Sequence, residues 1–338
     1  MNNHKISIAF QTDKPFNQYG SLARQVENFD FDGVTVYNDM LYQPAWLPLL
    51  EIARYTNKIR IGPAAVNPFT CHPINIAGNI AILDECSQGR AYLGLARGAW
   101  LDYVGLQPKH PTQQLKEAMM CIRHLLKQST DPYPSSYFPL AGGDSLRWKI
   151  LRSKIPFLIG TWGPKTIQAC IHEITEVKLG GTANPDVVPW IKTHIINATS
   201  KIGRDSAEVG VVIGAVSVVD QDGDKARALA RKEVALYLPV VASLDPTLKL
   251  DRDVLESVQK ATSRYDFNEA SEYIDDKLLQ KFAFAGTPKD LINQTIDLFR
   301  AGASRVEFGT PHGLTPETGL QLLGGKVLPR VKEHLATI

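Results

Sequence analysis

Two short segments carry residue types suited to holding an anion. Thr161-Trp162-Gly163-Pro164-Lys165-Thr166 follows an apolar run at 156–160. Pro164 suits the first position of a helix, and Gly163 or Thr161 can cap just before it. Such a helix start offers free N–H groups and a positive dipole end to a phosphate, and Lys165 can add charge. Gly180-Gly181-Thr182 follows a second apolar run at 175–179, and glycine there lets backbone approach a ligand closely. Side by side, the two turns can hold one phosphate. They can equally be ordinary strand-to-helix turns that use glycine for steric room.

Other polar residues cluster just after apolar runs. Asn38-Asp39 follows the run at 33–37 and offers a carboxylate for proton transfer, although Asn and Asp at such places also form turns and helix caps. Arg97 can neutralise an anionic ring or a carboxylate, or can pair with Asp102 or Asp84. His72 stands before Pro73, where capping and catalysis are both open. Trp46, Trp100 and Trp162 can wall a flat heterocycle or fill the core. The eight histidines show no metal-ligand spacing, so no metal site is expected. There is no G-x-S-x-G elbow, no P-loop and no dinucleotide fingerprint after the first run.

These residues need a scaffold, and the chain's periodicity supplies one. Apolar runs at 6–10, 33–37, 59–66, 91–96, 156–160, 175–179, 209–219 and 305–309 are rich in Val and Ile and are bounded by Gly, Pro, Asp or Asn. Most are apolar throughout, as strands buried on both faces are. Amphipathic stretches at 19–29, 44–56, 74–86, 112–127 and 290–300 show helical spacing, with stripes such as Leu22, Val26, Phe29 and Leu47, Leu50, Ile52, Ala53. Strand–helix alternation predicts right-handed βαβ units and a parallel sheet. Eight strands favour a closed (β/α)₈ TIM barrel, an α/β fold, over an open doubly wound sheet. Residues 129–149 and 239–284 break the rhythm and read as insertions, the second a lid or subdomain with helices near 251–261 and 269–281. One domain over 1–338 is expected. In such a barrel the site lies at the C-terminal ends of the strands.

The chain has 338 residues, 44% of them hydrophobic, with a formal net charge of +2. That balance demands neither nucleic acid nor an anionic membrane. Four scattered cysteines are no disulfide framework, and no apolar run approaches a membrane span. The N-terminus enters a strand-like run without an apolar leader. A cytoplasmic protein is expected.

The stretch 58–98 resembles the bacterial luciferase-like superfamily. It is most similar to the branch of deazaflavin-dependent methylenetetrahydromethanopterin reductases. The resemblance rests on Ile61-Gly62-Pro63, Asn67-Pro68, His72-Pro73, Ser87-Gln88-Gly89-Arg90 and Leu93-Gly94-Leu95 with Gly98 following, in that order and spacing. It extends to about residue 220 and resumes at 284–309. It implies that an isoalloxazine-type ring lies against the third strand, over a non-prolyl cis peptide at Ala64-Ala65 beside Val66 and Asn67. It implies polar contacts from Asn38 and Asp39, and phosphate contacts from Thr161, Trp162, Gly180, Gly181 and Thr182. The resemblance departs where some deazaflavin enzymes carry a His after the second strand; Asn38-Asp39 stands there instead.

The implied activity is a flavin-dependent oxidoreductase or monooxygenase that uses FMN or the deazaflavin coenzyme F420. It would transfer hydride to, or activate oxygen for, a small organic substrate. The implied partners are a flavin reductase as source of reduced FMN and a second copy of the chain in a homodimer. Two alternatives use the same anion turns: a barrel enzyme acting on a phosphorylated metabolite, and a non-catalytic flavin-binding protein.

Overall fold

A computed structural model describes residues 4–337; the ends of the expected 1–338 domain lie outside them. The strands are β1 (Lys5–Phe10), β2 (Gly33–Val36), β3 (Arg60–Pro63), β4 (Leu93–Ala96), β5 (Phe157–Gly160), β6 (Ile174–Gly180), β7 (Gly210–Val219), β8 (Ala283–Gly286) and β9 (Arg305–Gly313). All pairings are parallel, in the order β3-β2-β1-β9-β7-β6-β5-β4. Bridges Ile61↔Ala91 and Val66↔Leu95 join β3 to β4. That contact nearly closes the sheet into the expected (β/α)₈ barrel and rules out the open doubly wound form. All eight strands read from the apolar runs are present. The unanticipated strand is β8, four residues at the end of the second insertion, which pairs with the upper half of β7.

The outer layer comprises α1 (Gln18–Asn28), α2 (Trp46–Tyr55), α3 (Pro73–Cys86), α4 (Pro111–Leu126), α5 (Pro164–Cys170), α6 (Val187–Ser200) and α7 (Gly223–Ala235). After the insertion come α12 (Pro288–Ala301), α13 (Pro316–Leu322) and α14 (Leu328–Ala336). The insertion itself folds as α8 (Leu238–Leu244), α9 (Arg252–Thr262), α10 (Phe267–Glu272) and α11 (Asp276–Phe282). Local chemistry sets several starts. His72 accepts from the Ile74 N–H ahead of Pro73, and Thr287 with Asp290 forms a complete capping box before Pro288. The helix expected over 269–281 is two helices instead, because the Asp275 side chain caps the second by accepting from the Leu278 N–H.

Apolar stripes of the helices pack on the outward faces of the strands in one continuous core. Leu47, expected on such a stripe, is 55% exposed. The insertion has a core of its own, built on α7, β8 and α8–α11, and Trp162 packs against both cores. The segment 129–149 forms no helix; a single antiparallel bridge, Tyr133↔Leu140, orders it.

Candidate active site at the mouth of the barrel

The barrel interior is polar. Lys178 on β6 pairs with Glu307 on β9, and Arg305 pairs with both Glu307 and Glu176. Arg60 reaches Glu176 from β3 at 3.4 Å. Thr35 donates to Glu307 and meets the Tyr92 hydroxyl at 2.6 Å. These pairs span non-adjacent strands, so they fill the lumen. Burial pushes the Glu176 and Glu307 carboxyls up, but the neighbouring guanidinium and ammonium groups outweigh it and hold both below the usual carboxylate range. Only such compensation makes buried charge tolerable.

Above this layer the strands end in small residues. A Cβ added at Gly160 would lie 3.4 Å from the Ala96 Cβ and 4.0 Å from the Ala65 Cβ, and one at Gly180 would meet nothing within 4 Å. Ala65 is brought there by a cis peptide between Ala64 and Ala65, at the position the resemblance implied. Gly94 is required beside it: a Cβ there would lie 2.3 Å from the Pro63 carbonyl oxygen. Ala65, Ala96, Gly160 and Gly180 thus leave a bay at the C-terminal mouth.

Tyr37 follows β2 and lies over the polar lumen. Its ring lies 5.1 Å from the Lys178 Nζ, and its hydroxyl would be 2.7 Å from a Cβ at Gly309. Asp39 stands at the rim, its carboxylate accepting from Gln11 Nε2 at 2.8 Å. The insertion reaches the same rim. Burial pushes the Tyr237 phenol up to about 12, with Asp39, Tyr42 and Glu233 adding to the effect. Tyr237 also meets Trp100 edge-on, with ring centroids 5.8 Å apart.

Other expected residues are placed differently. The Asn38 carboxamide oxygen accepts from the Ala45 N–H, so it braces the start of α2. Asn67 is buried, and its oxygen accepts from Phe69 N, Thr70 N and Thr70 Oγ1 in a turn. Val66 is buried in the β3–β4 junction. Arg97 is exposed, and Asp84 pairs with Arg152 rather than with it.

The paired anion turns need the largest correction. The N–H groups of Gly181 and Thr182 both donate to the Gly214 carbonyl, and the Thr182 hydroxyl donates to the Lys281 carbonyl. Those donors serve the fold, because α8 and α11 sit directly on this turn. At the other turn the Thr161 hydroxyl accepts from the Gly163 N–H, and α5 is only seven residues long.

Sequence reasoning missed Tyr37, Lys178, Arg305 and Glu307. A signal existed: Glu176, Lys178, Gly180 and Arg305, Glu307, Gly309 each recur at a spacing of two, which puts one face of an otherwise apolar strand in a polar lumen.

A barrel with a small-residue bay at its C-terminal mouth and a helical cover defines a class that comparison with known proteins identifies. The model of the luciferase-like monooxygenase family matches residues 4–305. The chain belongs to that family. It is 28% identical to the 5,10-methylenetetrahydromethanopterin reductase of Archaeoglobus fulgidus, over 97% of this chain and 100% of that one. It is 29% identical to the enzyme of the same name from Methanopyrus kandleri, over 95% and 96%. The solved structure of coenzyme F420 dependent tetrahydromethanopterin reductase from Methanopyrus kandleri superposes with a TM-score of 0.89 at 25% identity, covering 97% of this chain and 99% of that one. An F420-dependent secondary alcohol dehydrogenase, solved with an F420–acetone adduct, shares the fold at a TM-score of 0.77 and 17% identity, over 97% and 99%. No described helix is long and apolar enough to cross a membrane.

Proposed function

We propose that this chain is a deazaflavin-dependent oxidoreductase that binds coenzyme F420 at the barrel mouth and a small organic substrate over it. End-to-end similarity to reductases, one named as F420-dependent, carries this reading. The bay of Ala65, Ala96, Gly160 and Gly180 fits it, because a flat ring needs a shelf that side chains larger than methyl would fill. When bound, the deazaflavin supplies two-electron hydride chemistry.

The chain's own residues do the rest. Ala65, Ala96 and Gly160 orient the ring by shape. Thr161, Trp162 and Gly180 border the cofactor's phosphate, and Arg97, with no ion pair among the described residues, meets its negative charge. Asp39, held by Gln11, carries a proton at the rim. Trp100 and Tyr237 exclude water over the reacting atoms.

Titration with F420 and, separately, with FMN, followed by absorbance and fluorescence, tests the reading. Binding of neither ring at millimolar concentration sinks it. Binding of FMN alone, with oxygen consumed when the FMN is reduced, replaces it with a monooxygenase that needs a flavin reductase as partner. The same reading includes a homodimer. Its face is the apolar groove between α2 and α3, where Ile74 and Ile82 are 44% and 39% exposed. Light scattering that reports a monomer at micromolar concentration removes that part.

A further inference from the structure

We propose that Tyr37 is the hydrogen-bond donor that registers the bound ring over the polar lumen, with its O–H aimed at a ring carbonyl or ring nitrogen. The inference rests on the ring-binding reading above and names a residue that reading does not use.

Tyr37 follows β2, and its side chain crosses the lumen past β1 to Gly309 on β9. A side chain at 309 would collide with the hydroxyl, so glycine there keeps its place open. Beneath it, both Glu307 oxygens already have donors. One Glu307 oxygen accepts from Lys178, and the other accepts from Thr35 and Arg305. Thr35 is also engaged with Tyr92. The Tyr37 hydroxyl itself makes no hydrogen bond to another described residue, and the side chain is not fully shielded from the mouth. A phenol without a hydrogen-bond partner among the described residues, on a half-buried side chain, leaves its O–H to be satisfied by a bound group.

The surroundings also keep that proton on the oxygen. Burial, then the Glu307 carboxylate, then Asp39 and Tyr237 push the phenol well above its ordinary value. Tyr37 is therefore a donor at any working pH and never a competing anion. The neighbouring bay of Ala65, Ala96 and Gly160 is apolar. One polar contact beside an apolar shelf fixes orientation where shape alone leaves a flat ring free to slide or flip.

The test is Tyr37→Phe, read by spectroscopy on F420 and FMN titrated into wild type and variant. With the donor in place, the bound ring's absorption maximum should shift on binding. In the variant the shift should vanish and Kd should rise about three- to tenfold, the worth of one neutral hydrogen bond. The thermal midpoint should be unchanged, because the hydroxyl bonds no protein group. An unchanged shift and Kd in the variant overturn the role of Tyr37 while leaving ring binding intact. A lost shift accompanied by a fallen midpoint also overturns it, since the hydroxyl would then serve the fold. A wild type that binds neither ring overturns both readings at once.

Discussion

Lys178 and Glu307 form an ion pair inside the barrel, across the intervening strand β7, with side chains only 8% and 0% exposed. The pair is one link in a network that joins four strands, β1, β2, β6 and β9, through Ser7, Thr35, Glu176 and Arg305. Such a network adds little stability over an apolar core of equal volume, but it is costly to break, because the partner left behind is a buried uncompensated charge.

Glu307→Gln should therefore destabilise the protein by about 3–5 kcal/mol, the usual cost of removing one member of a buried pair. Urea unfolding measures it. The acid limb gives a second reading. A carboxyl held below its ordinary value contributes stability above the unfolded value, and this is lost as pH falls through the folded value. The variant lacks this contribution, so its stability should fall less steeply than that of wild type on acidification below about pH 4.

Burial holds His312 neutral well below the pH at which an ordinary histidine takes up its proton. Its Nε2 lies 3.0 Å from the Ala9 carbonyl and its Nδ1 has no hydrogen-bond partner among the described residues. Burial, with the Lys14 ammonium assisting, pushes it down to about 3. In the unfolded chain it titrates at about 6.5. Between those values the unfolded chain binds a proton that the folded one does not, so stability is present above pH 6.5 and declines as pH falls toward 3. His312→Gln should lose stability at pH 7.5 and yet show a smaller drop in Tm between pH 7.5 and pH 5 than wild type, values chosen to bracket the unfolded titration. Equal drops in both proteins would refute the account.

The space above Gly160 sets a size limit on what the mouth accepts. A methyl there makes ordinary contact with Ala96 at 3.4 Å, so Gly160→Ala should keep F420 binding within about threefold. Gly160→Leu projects further into the bay and should raise Kd by well over tenfold, about 1.4 kcal/mol per decade, at an unchanged unfolding midpoint. Retained binding in the leucine variant would move the ring elsewhere.

Much of the fold was legible because it repeats. The apolar runs and helical stripes recur along the chain, and each reading supports the next. Positions of single small residues were legible too: Gly94 was read from motif order and lies where the Pro63 carbonyl leaves no room for a Cβ, and the cis peptide at Ala64-Ala65 falls where the resemblance put it. Hydrogen-bond ownership was not. Gly181 and Thr182 have the composition of an anion turn, yet their N–H groups belong to Gly214, because the insertion packs over them. Asn38 and Asp39 are adjacent in sequence, but one accepts from the Ala45 N–H just before α2 and the other accepts from Gln11 at the rim. Gln11 and Gly214 lie far from their partners in sequence, so no local pattern announces them. The lumen was missed for a related reason: β6 and β9 read as buried strands, and only their period-two charges separate a polar interior from an apolar one.

The contact between Gly181 and Val241 joins the site to its cover. Gly181 has φ of +78°, a conformation that costs an L-residue roughly 1–2 kcal/mol. A Cβ added there would lie 2.8 Å from the Val241 Cγ2, so the Val241 side chain, or α8 with it, would also have to shift. Gly181→Ala should thus act twice. Its global stability should fall by about 1–3 kcal/mol, combining backbone strain with overpacking. Protease cleavage within 236–250, the stretch carrying Tyr237 and α8, should rise by more than that loss explains, because the helix is displaced while the barrel stays folded. Val241→Ala in the same chain should restore the cover but not the strain, bringing cleavage back while leaving part of the stability loss. A double variant cleaved as fast as the single one would show that α8 is held by something other than this turn.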